Sequence, residues 1–308
     1  MMSGRWRSLI LVTVLVGVAA GLALAATDGS PVKLLLAIYG EAAGGFNQPQ
    51  AVFCGERLVV ADTAGKRLVF YDPQGGEFKY LGKFDAGGSL SAPFCVAEAP
   101  GGKLLVAERG KPHLTLCDPK TGAASPLALR GPEVAGMVPG RFCLDEAGRL
   151  YVIDHGRGRI AVFSPSLAYE GEIRVADKGF GGFADVRADR RGNLYALESL
   201  RGLVHVFDAN LKPVRSFGAR GKEGAPFEFP VSLATDRQGN VYVLDGHRAQ
   251  VLVFDPEGRL QWRLGGQGWK EGAFGGPVYV AIDSANRIFV AERLNNRVQV
   301  FAPLRPME

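Results

Sequence analysis

A short apolar strand closed by an acidic residue returns six times along the chain, ending at Asp62, Glu108, Asp154, Glu198, Asp245 and Glu292. Successive acids lie 44 to 47 residues apart, about the length of one four-stranded propeller blade. A unit this small cannot bury its apolar face alone, so phased copies must pack on one another in turn. The sequence therefore predicts an all-β fold: a six-bladed β-propeller of four-stranded antiparallel blades.

The fifth copy shows the unit most plainly, with strands at 229–236, 241–245, 250–254 and 260–264 separated by Asp236-Arg237-Gln238-Gly239-Asn240, Gly246-His247-Arg248-Ala249 and Asp255-Pro256-Glu257-Gly258. β-Branched and aromatic runs bounded by turn formers are the mark of strands. The 42 glycines are placed to make such turns, since glycine reaches positive φ without steric cost. The sixth copy stops after its third strand, at Phe301-Ala302-Pro303, while an orphan strand occupies 33–40 near the start. That strand is expected to complete the last blade from outside and close the ring, leaving no open sheet edge.

Three features carry a resemblance to the NHL-repeat family of six-bladed propellers. They are the G-x-F-x-x-P lead-in (Gly45-Phe46-Asn47-Gln48-Pro49; Gly272-Ala273-Phe274-Gly275-Gly276-Pro277), the acid after the second strand, and the third strand Asn295-Asn296-Arg297-Val298-Gln299-Val300-Phe301. The resemblance spans 33–304. It implies roles from ligand and protein binding to RNA recognition and lyase chemistry; related propeller lyases and lactonases cluster His, or Asp, Asn and Glu, around the axis. Function has to be read from the site.

Residues 1–26 carry Arg5 and Arg7, an apolar run over 9–26 and Ala23-Leu24-Ala25, the pattern of an export signal with a small-residue cleavage site. The run is also about long enough to span a bilayer, so an uncleaved membrane anchor is the competing reading. Both put the propeller (33–304), after a linker at 27–32 and ahead of a tail at 305–308, in an extracytoplasmic compartment. The net charge is only +5 and the basic residues are spread over the turns, which argues against nucleic acid as a partner. Cys54, Cys95, Cys117 and Cys143 form no CxxC, haem or metal spacing and sit in apolar strands, where unpaired buried thiols are expected.

A feature shared by all blades serves the blade. The six acids are thus expected to hold the loops they open, with Arg67, Arg159 and Arg297 five residues on as partners, and His113 and Gln250 in that place in two other blades. Leu203 stands there in the fourth, leaving Glu198 to backbone donors or solvent. Asp145, Asp189, Asp236 and Asp283 are expected to cap inner turns. His205, inside a third strand, is read as a surface or inter-blade residue, and Phe180, Phe183, Phe227, Phe229, Trp262 and Trp269 as inter-blade packing.

Function is sought where copies disagree. Thirteen residues before each acid, where the inner strand begins, stand Cys95, Arg141, Asp185, Ser232 and Tyr279, with Ala51 in the first blade. Just after the acid come Thr63, Arg109, His155, Ser199, Gly246 and Arg293, followed in the fifth blade by His247. Arg109, Arg141, His155, Asp185, His247, Tyr279 and Arg293 therefore form the candidate site, a largely cationic channel mouth. One inner carboxylate and two histidines on alternate blades make a poor metal set, so no metal, cofactor or catalytic residue is assigned. The expectation is a monomeric envelope module binding a protein or small ligand, with a metal-assisted lyase or lactone hydrolase at the same mouth as the alternative.

Overall fold

The computed structural model describes residues 31–220 and 226–303; the leader, most of the linker and the tail lie outside them. Among the described residues no helix is long and apolar enough to cross a membrane. Six antiparallel four-stranded sheets follow one another round an axis. Their inner strands, Pro49–Cys54, Pro93–Ala99, Pro139–Leu144, Asp185–Ala188, Pro230–Thr235 and Pro277–Ile282, pack side by side.

The second strands are buried on both faces, as in Leu150–Asp154 and Val241–Asp245, because each blade is covered by a neighbour on either side. Val60, Val152, Ala196, Val243 and Val290 are fully shielded; burying a valine is worth about 1.5–3 kcal/mol. Outer strands such as Lys79–Phe84 alternate exposed and covered residues. The orphan strand, Val32–Ile38, pairs antiparallel with the last strand, from Val32 opposite Pro303 to Ile38 opposite Val298. It ends before Gly40, which turns the chain at φ 76° with a Cβ position only 2.6 Å from the Phe46 ring, so glycine is required there.

All six acids are buried, and each accepts a backbone N–H from the inter-blade loop leading into its own blade. The donors are Asn47 to Asp62 (2.6 Å), Ser91 to Glu108 (2.7 Å), Val138 to Asp154 (3.0 Å), Gly181 to Glu198 (3.0 Å), Glu228 to Asp245 (2.6 Å) and Gly275 to Glu292 (2.7 Å). Arg67, Arg159 and Arg297 donate Nε to their acids at 2.7, 3.0 and 2.7 Å as expected. Their guanidinium groups also bind loop carbonyls, Arg297 reaching those of Lys270 and Ala273 at 2.9 Å.

The other three blades differ from the expectation. Glu108 is held by Lys111, Thr115 and Ser91, not by His113. Glu198 takes both Nε and Nη2 of Arg201 at 2.7 Å and Nε2 of His205 at 3.0 Å, so it does not depend on backbone and solvent. His205 is buried, and its Nδ1 meets Ser216 Oγ at 2.9 Å. Asp245 accepts the N–H groups of Glu228, Phe229, His247 and Arg248, while the Gln250 amide reaches the Gly265 carbonyl. Length sets a separate contact: Glu108, Glu198 and Glu292 each reach a polar residue seven positions on, Thr115, His205 or Gln299. Behind the shorter Asp62, Asp154 and Asp245 that position holds Val69, Ala161 and Leu252, all buried.

The inner-turn aspartates cap as expected, Asp145, Asp189, Asp236 and Asp283 each accepting the N–H four residues on. The four cysteines are unpaired. Burial pushes the thiols of Cys54, Cys117 and Cys143 up to about 12, which keeps them protonated.

Burial alone would raise the acids, and it does raise Asp62. In Glu108, Asp154 and Glu198 it is outweighed, by Lys111 and the Ser91 N–H, by the Val138 N–H and Arg159, and by Arg201 and the Gly181 N–H, so their pKa values fall. A lowered carboxylate gives stability that is present above its unfolded pKa, about 4, and lost as pH falls through its folded value; Asp62 acts in the opposite sense. Urea midpoints should therefore fall between about pH 5 and pH 3, with part of that slope removed in Glu198→Gln. An unchanged slope in that variant would contradict the assignment. Arg159→Met leaves the buried Asp154 short of its main cation and should cost about 3 kcal/mol in urea unfolding; a loss below about 0.5 kcal/mol, the scale of an exposed pair, would show that the pair is not structural.

Candidate functional site

A bulge at the start of the third inner strand, between Pro139 and Phe142, turns Arg141 onto the axis. From there its guanidinium crosses the channel: Nη1 donates to Asp185 Oδ2 at 3.1 Å and to the Val231 carbonyl at 2.6 Å, and Nη2 to the Val278 carbonyl at 2.8 Å. One side chain from blade 3 thereby ties blades 4, 5 and 6 together. Asp185 is fully buried, and the guanidinium carbons of Arg141 and Arg187 each lie 5.0 Å from the Tyr279 ring centroid. The ring of residues thirteen before the acid does line the axis, and the next ring, Val52, Val96, Phe142, Val186, Leu233 and Val280, is buried behind it.

Above Arg141 opens a cavity of about 620 Å³, lined from blades 1 to 5 by Gln50, Phe94, Glu108, Arg109, Lys111, Arg141, His155, Ser199 and Phe229 among others. Arg109 donates to Gln50 Oε1 at 2.6 Å and lies over Phe94 at 5.4 Å. His155 stands exposed at the lip with its ring against Gly140, where any Cβ would lie 2.4 Å from Nε2. Protein packed around the imidazole lowers its pKa, opposed by Asp154 and assisted by the charge of Arg141. It shares the cavity with Arg109, with Arg141 paired to Asp185, and with Lys111 paired to Glu108.

Of the seven predicted residues, Arg109, Arg141 and His155 meet in this cavity. Asp185 and Tyr279 lie beneath it as the axial plug. His247 is exposed at the rim, stacked on Phe229 with ring centroids 5.0 Å apart, and Arg293 is exposed outside the lining. Phe229 lines the mouth and Trp269 is 72% exposed, so neither is inter-blade packing. Thr63 and Ser199 spend their hydroxyls on the Pro93 and Pro230 carbonyls of the next blade. Sequence reasoning missed Gln50, Lys111 and Arg187. The signal for Arg187 was available: at the same place in the other inner strands stand Phe53, Ala97, Cys143, Ala234 and Ala281.

A metal of the kind the related propeller enzymes imply would need three or four oxygen or nitrogen ligands. The axis offers one carboxylate, and both its oxygens are taken: Oδ2 by Arg141, Ser232 and the Leu233 N–H, Oδ1 by Arg187 and the Val186 N–H. Among the described residues no three His, Cys, Asp or Glu side chains converge. The residues do not fit a metal.

The fold and cavity define a six-bladed propeller with a small-molecule-sized mouth on one face. The sequence pattern of the SMP-30/Gluconolactonase/LRE-like region matches residues 51–286, and the chain belongs to that family. The match does not confirm the NHL-repeat resemblance. The motifs behind it, the lead-in loop, the acid and the third-strand arginine, build the loop-holding network common to the blades and so report architecture. Among solved structures, a gluconolactonase from Xanthomonas campestris is 17% identical, with TM-score 0.62 over 88% of this chain and 89% of that one. A streptogramin B lyase is 12% identical, with TM-score 0.59 over 83% and 93%. Virginiamycin B lyase from Staphylococcus aureus, in a catalytically inactive histidine-to-alanine variant with quinupristin, is 11% identical, with TM-score 0.59 over 82% and 80%. These likenesses establish the fold. No curated protein sequence matches the chain.

Gly140→Ala should push the imidazole off its seat with little loss of stability. The His155 pKa, followed by NMR, is expected to return toward about 6.5; an unmoved titration would mean that Gly140 does not position the ring.

Proposed function

We infer that the mouth cavity receives a small lactone or related cyclic ester, and that the protein opens it by hydrolysis or elimination in the extracytoplasmic compartment its leader implies. The observation that carries this is the imidazole of His155, its pKa lowered, at a cavity it shares with the guanidinium of Arg109. Ring-opening of a lactone needs a base and a cation for the developing oxyanion, and both are present. Membership of a family that takes part of its name from gluconolactonase supports the reading.

In hydrolysis, His155 accepts a proton from water as the water oxygen adds to the carbonyl carbon. The ring C–O bond then breaks, and the imidazolium returns the proton to the departing alkoxide, giving the hydroxy acid. In elimination the same imidazole removes a carbon-bound proton while the ester oxygen leaves as carboxylate. Arg109, which spends only one donor on Gln50, stabilises charge on oxygen in both cases. Since the axial residues do not fit a metal, the ring-opening is expected to be metal-independent, where the sequence reading had it metal-assisted.

A second reading, a non-catalytic binding module, is favoured by the engagement of Arg141 with Asp185 and two carbonyls, which leaves a rigid floor. A panel of lactones assayed with and without chelator separates the two. Turnover should be chelator-insensitive, fall about 100-fold or more in His155→Ala, and decline as pH drops through the lowered His155 pKa. Tight binding of a panel member without turnover would leave the binding module. Neither binding nor turnover would overturn the mouth as the site.

A further inference from the structure

The charges on the axis do not balance. Arg141 and Arg187, both largely buried, face the single carboxylate of Asp185. The other titratable groups facing Arg187 are Tyr279, Cys95 and Cys143, and burial raises the pKa of each, so they stay neutral. Asp185 has no acceptor capacity to spare, as its two oxygens already take five donors. One positive charge remains.

The hydrogen bonds are unbalanced in the same direction. Arg187 Nη1 is used by Asp185 Oδ1 at 2.7 Å and by the Val186 carbonyl at 2.6 Å, while its Nη2 is buried without a partner. An unpaired buried donor marks a missing acceptor, and an uncompensated buried charge is strongly destabilising. The Tyr279 ring, 5.0 Å from the guanidinium carbon, offsets part of this through cation–π contact but brings no negative charge. A water molecule would satisfy the donor and leave the charge. An anion answers both.

We propose that the axis of this propeller is an anion site, in which a small monovalent anion, a halide or the oxygen of a formate-sized carboxylate, rests on Arg187 Nη2 beside Tyr279. Two arginines against one aspartate leave the axis of this channel cationic. The site stands apart from the reading of the mouth, because it rests on Arg187 and not on His155 or on turnover.

The test uses bromide as the probe on the mature protein. At constant ionic strength, replacing a bulky sulfonate by sodium bromide should raise Tm by a few degrees, as binding to the native state alone requires. Crystals grown in bromide should give an anomalous peak within hydrogen-bonding distance of Arg187 Nη2. The Tm effect should vanish in Arg187→Met and persist in His155→Ala. Equal Tm in the two salts with no peak on the axis would overturn the proposal. So would stabilisation by calcium or zinc that chelator reverses and Asp185→Asn abolishes. If Arg187→Met does not fold, the peak in the wild-type crystal decides alone.

Discussion

Each blade hangs its lead-in loop on one buried carboxylate, and the rest of the ring follows from that contact. The acid ends the second strand, so a hydrogen bond from it to the loop fixes where the inner strand begins. A charged acceptor strengthens that bond well beyond a neutral one, and burial makes it unforgiving of a missing partner. Because the acid stays and only its cation varies, from Arg159 to Lys111 to Arg201, the blades keep one geometry while their loops differ.

That constancy frees the residues at the start of the inner strands to specialise. In blades 1, 2, 3, 5 and 6 a bulge follows the leading proline. In blade 3 it delivers Arg141 across the channel, and the same local geometry sets Gly140 beneath His155. The plug and the base are thus products of one short segment, Pro139-Gly140-Arg141. The guanidinium groups near the axis give the channel a positive charge, on which both the proposed ring-opening and the proposed anion site draw.

The architecture was legible because the period, the turns and the orphan strand all point to one closed ring. The axial residues were legible too, since Arg141, Asp185 and Tyr279 break a pattern that packing alone would keep uniform. What escaped was reach. Whether an acid is Asp or Glu decides which neighbour it touches, so Glu198 finds His205 where Asp154 finds only Ala161, and a fixed offset of five residues could not show it. Nor does spacing reveal that His247 stacks outward on Phe229 while His155 turns to the cavity, because that choice is made by Gly140 and the loop around it.

The most direct measurement is an NMR pH titration of the His155 imidazole, assigned with His155→Gln, in the presence and absence of gluconolactone or its ring-opened acid. The account predicts a pKa below the ordinary imidazole value of about 6.5, and a shift in that signal when the ligand enters the mouth. An ordinary pKa, with no response to any lactone or hydroxy acid, would contradict the claim that this imidazole is the working base of the site.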